Sequence, residues 1–212
     1  YPVKAFRSPF LLGYLLVLSA CLLTLFLNEK IPLQLATNQL HQPVFDTIMP
    51  YLTMLGDGIF VLLLGVVCLL FVNRSTGWLI ILSYLFSSLI VQFSKHVLFP
   101  DAMRPYFYMK AIPSFHSIPD FLYYEYHSFP SGHTASAFAL ATLLSFSVKN
   151  KPIASIGLLG AACLVGFSRT YLSQHFLVDV SAGSLIGVAS VYLLRAAIPT
   201  TWFTTQTPYI SR

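Results

Sequence analysis

Residues 10–27 read FLLGYLLVLSACLLTLFL, a predominantly apolar stretch without a charged side chain. About 20 such residues are needed for a helix to cross the hydrocarbon core of a bilayer. The stretch stops abruptly at the polar sequence Asn28-Glu29-Lys30. We therefore predict that this segment is a transmembrane helix.

The remainder of the chain repeats this pattern. Hydrophobic residues make up 56% and charged residues only 9% of the 212 residues, against about 25% charged residues in soluble domains. So few charges cannot cover a water-exposed surface. We predict an all-α, polytopic membrane protein in which residues 1–212 form a single membrane domain with six transmembrane helices. The predicted spans are residues 10–27, 59–72, 78–98, 131–148, 153–167 and 180–198.

Two longer connections are predicted to lie on the outer side of the membrane. Phe45 to Leu55 is interpreted as a short helix lying in the membrane interface. Residues 100–130 are rich in Tyr and Phe, which is typical of an aromatic belt at headgroup depth. The same residues could also cover a lipid-binding cleft, and the two interpretations are compatible.

The charged residues predict the orientation of the spans. With a cytoplasmic amino terminus, the inner side carries seven basic residues and no acidic one: Lys4, Arg7, Arg74, Lys149, Lys151, Arg195 and Arg212. The outer side then carries all seven acidic residues and five basic ones. This agrees with the positive-inside rule, so we expect both termini in the cytoplasm. The net charge of +5 forms no basic run or stripe, so no nucleic-acid partner is expected.

Three polar clusters fall at the predicted outer ends of the spans. They are Lys95 with Arg104-Pro105, then Pro130-Ser131-Gly132-His133, and finally Ser168-Arg169 with His175 and Asp179. Arginine matches phosphate geometry with two parallel hydrogen bonds, and lysine adds a point charge. Ser131 and Gly132 open a predicted helix, whose free N–H groups favour an anion. Together the clusters predict a phosphate pocket at the membrane surface.

The two histidines of these clusters are candidates for chemistry. His175 and Asp179 are four positions apart, so on a helical turn they share one face. The carboxylate can then hold one imidazole nitrogen and leave the other free to attack. His133 is suited to protonating a leaving oxygen.

The clusters resemble the three-part signature of the type-2 phosphatidic acid phosphatase superfamily of membrane lipid phosphatases. The second part, Pro130-Ser131-Gly132-His133, and the third part, Ser168-Arg169 with His175 and Asp179, are intact. The first part is usually Lys, six residues and Arg-Pro, whereas eight residues separate Lys95 from Arg104 here. The resemblance covers about residues 89–183.

This resemblance implies a metal-free, cofactor-free hydrolysis in two steps. His175 would attack phosphorus to give a phosphohistidine, and His133 would protonate the leaving group before water releases phosphate. The developing charge would be stabilised by Lys95, Arg104, Ser131, Gly132 and Arg169. We also expect a bacterial inner-membrane protein, and the charge distribution predicts that its active site faces the periplasm or exterior.

The substrate expected from the sequence is a lipid phosphate or diphosphate. Undecaprenyl diphosphate is favoured from the compact size of the chain, beside phosphatidylglycerol phosphate, phosphatidate and the phosphates of lipid A. A phosphotransferase between lipids is an alternative, because only the acceptor differs. A lipid transporter with a basic headgroup site is another, but it would need polar residues through the midplane of the spans.

The remaining histidines are predicted to be interface residues without matched partners: His41, His96, His116 and His127. No short spacing between them predicts a zinc site.

Overall fold

A computed structural model of the protein describes residues 8–148 and 151–198. Within these ranges the chain is helical and contains no strand. The α-helices are α1 (Pro9–Leu27), α2 (Lys30–Asn38), α3 (Pro43–Leu52), α4 (Gly58–Val67), α5 (Arg74–Phe93), α6 (Pro105–Met109), α7 (Gly132–Ser147), α8 (Pro152–Tyr171) and α9 (Leu177–Ala197). The all-α prediction is confirmed for the described residues.

Every predicted span coincides with a helix, but not every helix has the length of a span. α1, α5 with its extension to Leu98, α8 and α9 are long and apolar enough to cross a membrane. The helical stretches Pro43–Gly56 and Gly58–Val72 are bent by 54° and would add a fifth span if they cross together. α7 has 16 residues, fewer than the roughly 20 of an ordinary span. The count of six spans therefore stays a prediction.

α7 lies at the centre of the helix bundle and packs against α5, α8 and α9. Ten of its 16 residues are buried, and most of these are Ala, Ser or Thr. Small side chains allow neighbouring helices to approach closely in a membrane protein. One buried apolar cluster packs Phe138 of α7 against Tyr14 and Leu159, and a second packs Leu143 against Ile80 and Val191.

Three glycines from other segments hold the first turns of α7 in place. A Cβ atom at Gly56, Gly183 or Gly187 would overlap the backbone oxygen of His133, Ser131 or Ala135, respectively. Glycine is needed at these positions because no other residue lets the two backbones come so close. We call these three residues the glycine seat of α7.

The outer connections contain more helix than the sequence predicts. The helix expected at Phe45 to Leu55 is present as α3 followed by a 3₁₀ turn at Thr53–Gly56. α2 and α6 were not predicted. The basic residues Lys4, Arg7, Lys149 and Arg212, on which the orientation partly rests, lie outside the described residues.

Candidate active site

The three polar clusters meet at one cavity of about 260 Å³. The sequence-predicted residues that line it are Lys95, Arg104, Gly132, His133, Arg169 and His175. Ser131 and Asp179 do not line the cavity but lie directly behind residues that do. The structure thus brings together side chains that are spread over 85 positions of the chain, from 95 to 179.

Lys95 reaches the cavity despite its unusual distance from Arg104 along the chain. α5 ends in a π-helical turn at Ser94–Leu98, and a further turn follows, closed by a 3.2 Å hydrogen bond from Ala102 N to Phe99 O. A π turn holds more residues than an α turn, so these two turns absorb the longer spacing. The buried Lys95 donates from Nζ to the carbonyl oxygen of His127 at 2.9 Å.

Arg104 is held by acceptors from two loops. Its Nε donates to Tyr126 O at 2.8 Å, and its Nη1 donates to the side-chain oxygen of Gln174 at 3.0 Å. Burial lowers the pKa of the guanidinium from its ordinary value, and the ring of Tyr124 lies 5.5 Å from its central carbon. These contacts aim the guanidinium at His175, whose Nε2 is 3.4 Å from Nη1.

Arg169 brings a buried positive charge to the same cavity. It lies near the end of α8, is 6% exposed, and donates from Nη1 to Thr53 Oγ1 at 3.0 Å. Its Nε has no hydrogen-bond partner among the described residues. A buried positive charge without a matched acceptor is unfavourable unless an anion lies beside it and accepts its hydrogen bonds. The arrangement therefore fits a site for an anionic group.

His175 lies in the short loop between α8 and α9 and is 1% exposed. Its backbone N–H donates to Arg169 O at 3.1 Å, which fixes the ring beside the cavity. Burial, followed by the positive charges of Arg104, Arg169 and Lys95, holds the pKa of His175 well below its ordinary value. The imidazole is therefore neutral near pH 7 and keeps a lone pair for attack.

Asp179 lies behind His175, on the side away from Arg104. Its Oδ2 is 3.5 Å from His175 Nδ1, and the two atoms form no hydrogen bond. The same oxygen accepts hydrogen bonds from Ser128 Oγ and from Phe176 N, the latter at 2.9 Å. The bond from Phe176 forms because Asp179 is the N3 residue of α9, in a capping arrangement.

The start of α7 forms the opposite wall of the cavity. Ser131 is the N-cap of α7; its Oγ lies 2.8 Å from Thr134 Oγ1, and its backbone N–H donates to Asp179 O at 3.0 Å. It therefore positions the two motifs against each other. A Cβ atom at Gly132 would meet only Val91, at 3.7 Å. The protein packing therefore does not require a glycine there, whereas a phosphate approaching the backbone would.

His133 has a carboxylate neighbour that sequence reasoning missed. Its Nε2 lies 3.7 Å from Asp57 Oδ2, and Asp57 caps α4 by accepting from Ile59 N at 2.8 Å. The available signal was the sequence Gly56-Asp57-Gly58, an acidic residue between two glycines at a predicted helix start.

Other residues also escaped the sequence analysis. Gln174, Ser128 and Thr53 each bond to a side chain of the predicted site. The backbone oxygen of His127 accepts from Lys95, whereas its ring packs against His96 at 4.6 Å. The expectation that His41 and His116 lack partners is wrong, because both contact Asp46.

Comparison with known families agrees with this geometry. Residues 76–203, more than half of the chain, match the PAP2 superfamily. The chain therefore belongs to the PAP2 superfamily, which confirms the resemblance carried by the motifs.

Two characterised relatives match part of the chain. A stretch of 63 residues is 38% identical to a lipid A 1-phosphatase of Porphyromonas gingivalis, and covers 29% of this chain and 14% of that protein. A stretch of 76 residues is 37% identical to phosphatidylglycerophosphatase B of Bacillus subtilis, and covers 32% of this chain and 37% of that protein. These matches therefore span well under half of either relative.

Two solved structures share the fold more completely. The crystal structure of Aquifex aeolicus LpxE superposes with a TM-score of 0.65 at 27% identity, over 77% of this chain and 93% of that one. A transmembrane PAP2-type phosphatidylglycerolphosphate phosphatase from B. subtilis has a TM-score of 0.65 at 25% identity, over 90% and 95% of the two chains. With its long apolar helices, the chain is an integral membrane protein.

Proposed function

We propose that this protein is a membrane lipid phosphatase that hydrolyses a lipid phosphate or diphosphate through a phosphohistidine on His175. The observation that carries the proposal is the position of His175 Nε2, 3.4 Å from Arg104 in a cavity also lined by Lys95 and Arg169. A neutral nucleophile beside three cations is the arrangement that attack on a phosphate group requires. The names of the two relatives, a lipid A 1-phosphatase and a phosphatidylglycerophosphatase, support the same reaction class.

In the first step, the phosphate group binds between Lys95, Arg104 and Arg169. The lone pair of His175 Nε2 forms a bond to phosphorus while the bond from phosphorus to the lipid or phosphate oxygen breaks. His133 donates a proton to that leaving oxygen. Asp179 stabilises the positive charge that develops on the His175 ring, whose Nδ1 it faces at 3.5 Å.

In the second step, water replaces the histidine on phosphorus. His133, now neutral, accepts a proton from the attacking water, and the bond between phosphorus and His175 Nε2 breaks. Inorganic phosphate leaves and both histidines return to their starting forms. All positive charge used in this scheme comes from side chains, so the proposal includes independence of metal ions.

The shape of the cavity supports a lipid as substrate. Tyr84, Ser88, Gln92 and Lys95 all line it, and their spacing of four, four and three residues places them on one face of α5. From Lys95 to Tyr84 this face covers about 16 Å of helix. A phosphate held at Lys95 would thus leave the polar headgroup of the lipid beside the polar side chains of this face.

Several lipid phosphates and diphosphates fit this proposal, and an assay distinguishes them. The relatives are named for lipid A and phosphatidylglycerophosphate, and neither name supports undecaprenyl diphosphate in particular, which stays a prediction from size. Transfer of phosphate to another lipid would use the same first step. The proposed orientation, with the cavity facing the periplasm or exterior, follows from the charge distribution.

The test is phosphate release by purified protein in detergent. The panel contains lipid A, phosphatidylglycerol phosphate, phosphatidate and undecaprenyl diphosphate. At least one should yield inorganic phosphate, and His175→Ala should abolish it. His96→Ala, an exposed histidine outside the cavity, should retain it. Release from no substrate, or full release by His175→Ala, contradicts the proposal. Label that appears in a second lipid instead of inorganic phosphate would identify a transferase.

A further inference from the structure

Three side chains with metal-binding atoms converge outside the catalytic cavity. They are His41 after α2, Asp46 in the first turn of α3, and His116 in the loop after α6, and one potential ligand atom of each lies within 4.8 Å of the others. None of them lines the cavity at His175. We propose that these residues form a binding site for a divalent transition-metal ion of the zinc type.

The contacts of His41 require either a proton or a metal ion beside its Nδ1 atom. His41 Nε2 lies 3.0 Å from the backbone oxygen of Tyr171, and His41 Nδ1 lies 2.6 Å from Asp46 Oδ1. Both oxygens only accept hydrogen bonds, whereas a neutral imidazole has a single N–H. With Nε2–H donated to Tyr171, the lone pair of Nδ1 faces a carboxylate. Either a proton or a metal ion must lie between them.

The chemistry of the donors favours the metal ion. Two imidazoles and one carboxylate are zinc ligands, with water completing the coordination. A metal-ligating histidine usually donates its second N–H to a carbonyl or carboxylate, as His41 does to Tyr171. The second imidazole is also in place, since His116 Nε2 lies 2.9 Å from Asp46 Oδ2.

Two of the proposed ligands have largely buried side chains, and the third has a partly exposed side chain on a fixed loop. The side chains of His41 and Asp46 are 3% and 16% exposed, whereas that of His116 is 47% exposed. The loop of His116 is clamped by Asn38, which donates to its backbone oxygen at 2.9 Å and accepts from its backbone nitrogen at 2.8 Å. Tetrahedral zinc ligands are about 3.3 Å apart. The two nitrogen–oxygen distances must therefore open by about 0.4–0.7 Å.

The site would connect the outer segments to the catalytic loop. Tyr171 donates from its hydroxyl to Asp46 Oδ1 at 2.6 Å, and lies two residues after Arg169 and four before His175. Arg169 itself bonds to Thr53, in the turn that follows α3. A metal ion held here would therefore fix α3 and the loop of His116 against the end of α8. Its role is structural, because no ligand reaches the reacting phosphate.

The test measures zinc binding rather than activity, so its result is independent of the proposed phosphatase function. Purified protein is stripped with chelator and dialysed against zinc ions alone, and bound zinc is counted by mass spectrometry. We expect one ion per chain, and a Kd raised by at least about 10²-fold in His116→Ala. His96→Ala removes another exposed histidine and should bind zinc as the wild type does. Zinc should raise the melting temperature of the wild type but not of His116→Ala.

Cobalt provides a second measurement on the same proteins. Co²⁺ in the wild type should show the visible absorption of a four-coordinate nitrogen and oxygen site, and His116→Gln should lose it. The proposal is overturned if the wild type binds no zinc ion in a one-to-one ratio, or if His116→Ala binds zinc as tightly as the wild type. His41 and Asp46 would then form a protonated imidazole–carboxylate pair.

Discussion

Replacing Asp57 by asparagine should weaken proton donation by His133. In the proposed first step His133 must be protonated while the anionic phosphate is bound, because the phosphate offsets the positive charges of Lys95, Arg104 and Arg169 that disfavour the imidazolium. Asp57 Oδ2 also lies 3.7 Å from His133 Nε2. Asparagine removes the negative charge at nearly constant size. It is also a good N-cap residue, so the hydrogen bond from Ile59 that starts α4 should persist. The substitution therefore tests the charge rather than the fold.

The distance sets the size of the effect. Two unit charges 3.7 Å apart attract each other by about 1 kcal/mol in water and by about 4.5 kcal/mol at an effective dielectric constant of 20. The side chains of His133 and Asp57 are 32% and 40% exposed, so screening by solvent keeps the value near the lower limit. We take about 1–2 kcal/mol, which corresponds to a loss of about five- to thirtyfold in kcat/KM.

The assay compares a lipid phosphate with an aryl phosphate whose phenol leaves without protonation. Asp57→Asn should lose activity on the lipid and much less on the aryl substrate. In the His133→Ala background it should cause no further loss, because the two residues act as a unit. Asp101→Asn removes an exposed carboxylate on the same predicted side and should have no effect. An equal loss on both substrates, or an equal loss with and without His133, would refute the reasoning.

Further predictions concern the histidines, metals and orientation. Rapid-quench trapping with labelled substrate should show phosphoprotein in His133→Ala but not in His175→Ala; the reverse result would exchange their roles. Burial and three cations lower the pKa of His175. The NMR signal of its imidazole, assigned by its absence in His175→Ala, should therefore keep the chemical shift of the neutral form as the pH falls from 8 to about 6.5. Titration of this signal near pH 6.5 would contradict the site geometry. Turnover measured well below the melting temperature should survive excess chelator, and a complete loss restored by magnesium would overturn the mechanism. In single-cysteine variants, a thiol reagent added outside the cell should label a cysteine introduced at position 120 but not one introduced at position 150. The opposite pattern would show that the predicted topology is inverted.

The features that the sequence predicts best are local ones. The spacing of four residues predicts that His175 and Asp179 lie close together, and the structure places His175 Nδ1 3.5 Å from Asp179 Oδ2. His175 nevertheless lies in the loop before α9 rather than on a helical turn, and the two side chains form no hydrogen bond. Apolar runs locate the long helices because a stretch of about 20 apolar residues is favourable in lipid. The sequence predicts Lys95 as the lysine of the first motif. Only the structure shows that the π turn at Ser94–Leu98 helps to accommodate the longer spacing between Lys95 and Arg104.

The features that escaped prediction depend on contacts between distant segments. Asp57 meets His133 because α4 begins where α7 begins, and no spacing in the sequence records that meeting. The convergence of His41 and His116 on Asp46 likewise depends on how an outer loop closes, which is held by Asn38.

The glycine seat of α7 bears on how substrate preference can vary among proteins with this architecture. Gly56, Gly183 and Gly187 meet backbone oxygens of α7, so any larger residue there would displace the helix start that carries Gly132 and His133. The reactive end of the cavity is thus held by main-chain contacts that leave no room for adjustment. The opposite wall is formed by side chains of α5, including Tyr84 and Ser88, which can be exchanged without moving a helix. Substitutions on α5 should therefore change which lipid is preferred, while the reaction chemistry stays the same.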